Sequence, residues 1–306
     1  MRAAVTGARG FVGPHLVAHL EAMGDDVFAL DRSGPERFDV TDADAVRDTL
    51  SAIRPDALYH LAALSHVGES WEAPNLTIRV NVEGTLNVLR ACADAGVTRV
   101  VVVGSAEQYG RVRPEDVPLP EDAPMRPVTP YGASKVAADV LALQAFLADG
   151  LPTIRARPFN HTGPGQTDRF LVPALARRIA SAEHAGASEV VVGSLDPVRD
   201  VTDVRDVVRA YRLLALHGTP GEAYNVCRGT GVAVAEIAAL LVERARRPLE
   251  VRVDPALVRP VEVPRLIGDG TRLRDDTGWA PEIPLARTLD DVLDEARTRV
   301  ASPRSG

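Results

Sequence analysis

Tyr131 and Lys135 stand four residues apart in Tyr131-Gly132-Ala133-Ser134-Lys135, and Lys135 is the only lysine among 35 lysine and arginine side chains. On a helix that spacing puts both side chains on one face, so a phenol and an ammonium can converge on one ligand. A nearby ammonium favours phenolate. It is therefore expected to draw the tyrosine pKa down toward working pH, where the phenol exchanges a proton with a carbinol or carbonyl. Arginine serves as well for surface ion pairs but stays charged, whereas an ammonium has a tunable pKa, so a solitary lysine here points to chemistry. Ser105, just after an apolar strand ending at Gly104, offers a hydroxyl donor to the same oxygen, although a serine after a strand is common by itself. Glu107 follows as a candidate acid or base, or equally as a carboxylate bonded to loop backbone.

The amino terminus reads strand, glycine turn, helix: apolar Arg2–Thr6, then Gly7, Gly10 and Gly13, then a helical pattern over 14–23. Small residues let backbone amides approach a pyrophosphate, and the helix start supplies a favourable field. The spacing is GxxGxxG rather than GxGxxG, so the turn alone is weak and its context carries the reading. Arg9, Phe11 and Val12 complete the loop, and a second strand, Asp26–Leu30, ends at Asp31 and Arg32, where an acid would meet an adenosine ribose. Asp31 would repel a 2′-phosphate, whereas Arg9 and Arg32 could neutralise one. The position of Asp31 favours NAD and leaves NADP possible. Asp39 and Val40 fall where a loop could touch adenine, or form a solvated turn.

Regular elements must hold these groups. Strands are expected at 57–61 and 99–104 and helices at 42–53, 78–95 and 134–147, a βαβα alternation that implies parallel strands with the ligand across their carboxyl ends. A strand at 153–157 closes this part, and Pro158, Gly163, Pro164 and Gly165 punctuate the change that follows. Beyond it come helical patterns at 172–182, Val204–His217, 234–246 and 289–298, with strands at Glu189–Val192 and Ala223–Val226. With 25% charged and 45% hydrophobic residues among 306, the chain is neither disordered nor a membrane protein. No apolar run approaches a spanning helix, and Met1 leads straight into a strand pattern, so a cytoplasmic location is expected. A net charge of −7 argues against nucleic acid as a partner, though a local arginine cluster could hold a phosphate. Cys92 and Cys227 lie far apart in apolar segments and read as core residues, with no metal-ligand spacing.

Through Gly7/Gly10/Gly13, Leu61-Ala62-Ala63, Ser105 and the Tyr131/Lys135 pair, nearly the whole sequence resembles the extended short-chain dehydrogenase/reductase family of NAD-dependent epimerases and dehydratases. The resemblance implies an α/β protein. A nicotinamide coenzyme would occupy a Rossmann doubly wound parallel sheet over 1–162, with returning segments near 199–228. A sugar nucleotide would be held by a smaller α/β domain over 163–198 and 229–306. It also implies coenzyme contacts from Leu61, Ala62, Ala63, Pro158, Asn160 and His161, and substrate contacts from Ser65, His66 and Val172. Diphosphate or ribose contacts fall on Asn160, Arg199, Arg259 and Glu262, since arginine forks suit phosphate and a carboxylate suits vicinal hydroxyls. Within the family, the run from Arg157 to Gln166 looks like the reductases of GDP-4-keto-6-deoxymannose, as do Tyr224-Asn225-Val226-Cys227 and Thr277-Gly278-Trp279.

Related 4,6-dehydratases, including those of GDP-mannose, usually place Thr, then Asp or Ser, then Glu where this chain has Ser105, Ala106 and Glu107. Ala106 cannot exchange a proton, which disfavours elimination of water. Glu107 and Ser65-His66-Val67 nevertheless keep the dehydratase branch open. The expected activity is reduction of the C4 ketone of a GDP-linked 4-keto-6-deoxyhexose. A dehydratase or epimerase with tightly bound NAD is the alternative. A silent dinucleotide sensor is a third reading, against which Ser105, Tyr131 and Lys135 argue together. A homodimer through the helices near 78–95 and 134–147 is expected by resemblance.

Overall fold

The computed structural model describes residues 1–33, 37–257 and 263–302. Strand β1 (Arg2–Thr6) is buried from Ala3 onward and therefore needs cover on both faces. It lies inside a six-stranded sheet with β2 (Asp26–Leu30), β3 (Ala57–His60), β4 (Arg99–Val103), β5 (Thr153–Pro158) and β9 (Ala223–Val226). The order is β2-β1-β3-β4-β5-β9, and every neighbouring pair is parallel. Period-two alternation divides the strands' side chains between two cores. Ala3, Val5, Tyr59 and Val101 pack with Leu16 and Leu20 of α1 (Val12–Ala22) and with Tyr211 and Leu214 of the helix Val204–His217. Ala4, Leu58, Val100 and Val102 pack with Val46 and Leu50 of α2 (Ala43–Ile53), and with Val88, Leu89 and Ala142 from two further helices.

After β3 the chain forms α3 (Val67–Glu72) and α4 (Pro74–Ile78), a wide π-type turn at Arg79–Glu83, then α5 (Gly84–Ala95). The single helix expected over 78–95 is thus interrupted by that turn. Helix α6 (Pro130–Asp149) starts four residues before its expected beginning, because the Thr129 hydroxyl accepts from the Gly132 amide at 2.9 Å and Pro130 suits the first helical position. Tyr131 consequently sits inside the first turn.

The remainder contains β6 (Asn160–Thr162), α7 (Leu171–Ala185), β7 (Glu189–Val192), β8 (Val198–Asp203) and α8 (Val204–His217). Beyond β9 come β10 (Gly231–Ala233), α9 (Val234–Glu243), β11 (Glu250–Val253), β12 (Arg265–Leu266), α10 (Thr271–Thr277) and α11 (Leu285–Ala301). Strands β10, β8 and β12 pair in that order, β6 pairs with β8, and β11 pairs with β7. A separate core joins Val172, Leu175 and Ile179 of α7 to Ile237 and Leu241 of α9 and to Leu289 and Leu293 of α11. Strand β8, Val-Arg-Asp-Val-Thr-Asp, went unexpected because it lacks a plain apolar alternation. Among the described residues, no helix is long and apolar enough to cross a membrane.

Candidate active site

A cleft of about 960 Å³ opens beyond the carboxyl ends of β1, β3, β4 and β5 and is closed on its far side by α7 and β7. That is the upper end of ordinary ligand clefts. Its floor is the glycine turn. Gly7 has φ +70°, and a Cβ there would lie 2.8 Å from the Ala62 amide, so the β1 turn and the residues after β3 approach as only glycine allows. No side chain caps the start of α1 and no acid occupies its first turn, while Gly10, Phe11, Val12 and Gly13 all line the cleft. An uncapped helix start with small residues fits an anionic diphosphate. Asp31 lines the same wall. Burial pushes its carboxyl up, but bonds from the Ser33 hydroxyl (2.6 Å), the Ser33 amide (2.9 Å) and the Arg9 amide (3.0 Å) hold it below the usual carboxylate range. These features fit a nicotinamide dinucleotide.

Opposite the glycine turn, Ser105, Glu107, Tyr131 and Lys135 line one side of the cleft. Tyr131 is 8% exposed and Lys135 6%. The Lys135 ammonium donates to the Val103 carbonyl at 2.7 Å, and burial depresses its pKa to about 8. The Tyr131 phenol is pushed up to about 12, chiefly by burial; a hydrogen bond with Ser105 opposes the rise and the charge of Glu107 adds to it. This corrects the expected downward shift: among the protein's own groups, desolvation of a buried phenolate outweighs any help from the ammonium, which is committed to the end of β4.

The first turn of α6 is anchored from below. The Asn81 amide donates to the Leu64 carbonyl (3.0 Å) and to Ser134 Oγ (2.9 Å) and accepts from the Leu64 amide (2.8 Å), while Ser134 Oγ donates to the Tyr131 carbonyl. His60, at the end of β3, lies between Thr6 Oγ1 (2.8 Å) and Thr85 Oγ1 (3.0 Å). Thr85 gives its own proton to the Asn81 carbonyl, so His60 must donate through Nε2 and accept at Nδ1. Burial drives its pKa down to about 3, keeping the ring neutral.

The sequence profile of the NAD dependent epimerase/dehydratase family matches residues 3–227. The chain belongs to that family. It is 39% identical, over 97% of both chains, to GDP-6-deoxy-D-mannose reductase of Pseudomonas aeruginosa. The solved structure of RMD from Pseudomonas aeruginosa complexed with NADPH superposes with a TM-score of 0.90 at 36% identity, covering 98% of this chain and all of that one. UDP-glucose 4-epimerase of Thermus thermophilus, in complex with NAD, superposes with a TM-score of 0.87 at 30% identity, covering 97% of this chain and 99% of that one. The family's enzymes of this kind are NAD(P)-dependent and act on nucleotide sugars, and this chain is one of them.

In this epimerase/dehydratase family member, most of the residues expected at the site do line the cleft. Arg32, Asp39, Val40, Leu61, Ala62 and Ala63 do so near the glycine turn, and Pro158, Asn160 and His161 follow β5. The Phe11 and His161 rings stack at 6.0 Å and 7°. His161 Nδ1 donates to the Phe159 carbonyl (2.9 Å), leaving Nε2 as an acceptor, and burial lowers its pKa. Ser65, His66 and Arg199 also line the cleft. The His66 ring accepts from the Glu69 amide at 3.1 Å and meets Phe170 edge-on across the mouth, where Arg169 pairs with Glu69.

Two expected residues lie outside the cleft, and two lie outside the described residues. Arg9 is exposed and outside the cleft; its amide hydrogen-bonds Asp31 and its charge helps hold that carboxyl down. Val172 is 3% exposed inside the α7, α9 and α11 core, because the helical phase turns Leu171, Ala174, Leu175 and Arg178 to the cleft instead. Arg259 and Glu262 lie outside the described residues. Sequence reasoning missed Arg178, Arg79, Asn81 and Gln108. For Arg178 the signal was present as an arginine at helical spacing from Leu171 and Ala174.

Proposed function

We propose that the chain reduces the C4 ketone of a GDP-linked 4-keto-6-deoxyhexose with NAD(P)H as hydride donor. The observation that carries this reading is a complete Ser105, Tyr131 and Lys135 set with Ala106 beside it, buried and without acid or base. Such a site can protonate an alkoxide but has one proton-transfer group fewer than elimination of water across C5 and C6 asks for. When bound, the nicotinamide supplies the hydride. Tyr131 donates its phenolic proton to the forming alkoxide. Ser105 hydrogen-bonds the carbonyl oxygen and stabilises its growing charge. The Lys135 ammonium places positive charge at the same end of the cleft. The likeness to a GDP-6-deoxy-D-mannose reductase along the whole chain supports the GDP-linked substrate.

The division of labour follows the cores: the six-stranded sheet with its glycine turn holds the coenzyme, and α7, β7 and Arg199 face the sugar nucleotide. Asp31 favours NADH, and the NADPH complex of the Pseudomonas aeruginosa structure supports NADPH. The chain works as a homodimer joined through α6, whose Val140 and Leu147 are 53% and 72% exposed and two helical turns apart on one face. Two buried free thiols suit a reducing compartment such as the cytoplasm.

Glu107 on the cleft wall favours one second reading, a dehydratase that recycles bound NAD. Incubation with the 4-keto sugar nucleotide and NADPH or NADH, followed at 340 nm, should show coenzyme oxidation. Formation of a 4-keto product from GDP-mannose without added coenzyme would replace the reductase by the dehydratase.

A further inference from the structure

Gln108 is fully buried at 0% exposure, and each end of its amide is engaged. Its Oε1 accepts from the Ser105 amide at 2.9 Å, and its Nε2 donates to the Lys135 carbonyl at 3.0 Å. The first bond closes a capping box around the short turn Ala106–Gln108, whose other half is the Ser105 hydroxyl accepting from the Gln108 amide; the same hydroxyl accepts from the Glu107 amide at 3.2 Å. The second bond leaves that turn altogether and reaches one turn into α6. A single side chain therefore joins the loop carrying Ser105 to the helix carrying Tyr131 and Lys135.

The surroundings are built for this contact. Gly104 has no side chain, and a Cβ there would meet Gln108 Oε1 at 2.5 Å. Gly132, next to the tyrosine, lets the helix lie against the loop: a Cβ there would sit 2.7 Å from the Glu107 carbonyl. The joint is thus close and polar, with the glutamine itself buried, the setting in which an unmatched donor or acceptor is most costly and a matched one most rigid.

The geometry points to Gln108 as a positioning residue that fixes the Ser105 hydroxyl relative to the Tyr131 phenol and the Lys135 ammonium. This rests on the reductase reading for its kinetic consequence but not for its structural one. Gln108 touches neither reacting group. It acts through the Ser105 amide and the Lys135 carbonyl, so it sets a distance between two elements and leaves coenzyme binding alone.

The test compares Gln108→Met, which keeps the volume and removes both bonds, with Gln108→Glu, which keeps the acceptor and regains a donor only when protonated. Q108M should lower kcat at least tenfold while the coenzyme Kd moves less than twofold. On a Ser105→Ala background, the same change should cost less than twofold more. Q108E should lose activity at pH 8 to 9 and recover toward wild type near pH 6, where a buried carboxyl regains its proton and donates again to Lys135. A purely structural glutamine would give equal losses on both backgrounds and a pH profile parallel to wild type, and either result would overturn the proposal.

One readout needs no turnover. The 13Cζ resonance of Tyr131, assigned with Tyr131→Phe, should move in Q108M, or in Q108E at high pH if Q108M does not fold, in the same direction as in Ser105→Ala. An unmoved resonance would overturn the positioning role. Failure of wild type to reduce the keto sugar, with the resonance moving as stated, would overturn the reductase reading alone.

Discussion

Burial moves the two functional groups of α6 in opposite directions, and this decides how the site should respond to pH. The Lys135 ammonium, depressed to about 8, is charged below that pH and neutral above it. The phenol, raised to about 12, keeps its proton throughout the working range. Reduction needs both the phenolic proton and the positive charge, so kcat/KM for the reductive direction should be level below about pH 8 and fall about tenfold per pH unit above it. Lys135→Met should abolish that limb in the measured profile. Tyr131→Phe should lower kcat by about 10²- to 10⁴-fold, the usual worth of general acid catalysis, while a fluorescence titration shows coenzyme binding retained. The motif Tyr131-x-x-x-Lys135 was fully legible as a pair on one helical face. The direction of the phenol's shift was not, since desolvation depends on what encloses a group and not on its neighbours in the chain.

At the scale of elements, α6 is fastened at its first turn and at its middle. Its first turn rests on Asn81 through Ser134, and one turn beyond Lys135 the carboxylate of Asp139 takes a paired contact from Arg157 (2.9 and 3.0 Å) and another from Arg155 (2.8 Å). Arg157 is 2% exposed and also meets Tyr109 Oη at 3.2 Å. Asp139→Ala would strand a buried guanidinium, so urea denaturation should show a loss of about 3–5 kcal/mol. The helices and strands of the parallel sheet were readable because each carries its own apolar period. Strand β8 and the π-type turn at Arg79–Glu83 were not. The first is stabilised by pairing with β6, β10 and β12, and the second places Asn81 against Leu64, both of them partners distant in the chain.

For the whole molecule, two walls built from separate cores face each other across the cleft, and contacts such as Arg169 with Glu69 cross its mouth. Among the described residues, five large exposed apolar side chains lie on the side formed by three packed helices: Trp71 of α3, Leu76 and Ile78 of α4, and Val140 and Leu147 of α6, with α3 and α4 packed on α6; Met23, Leu171, Leu216, Val251, Val253 and Leu257 are exposed on other elements. If this side joins two copies, Val140→Glu with Leu147→Glu should halve the mass seen by sedimentation while far-UV circular dichroism stays unchanged. A mass unaffected by the double change would place the interface elsewhere.

What the sequence determined alone was local: the glycine turn between a strand and a helix, Asp31 at the end of the next strand, and a phenol and amine one helical turn apart. Each is encoded by residues within reach of one another along the chain, where turn chemistry and side-chain period suffice. Tertiary structure decided which face of α7 meets the cleft, placing Arg178 there and hiding Val172, and whether burial or charge governs Tyr131. It also decided that Gln108 would span from Ser105 to Lys135. These outcomes depend on the packing of elements distant in sequence, because desolvation and hydrogen-bond partnership belong to the assembled interior and no single segment carries them.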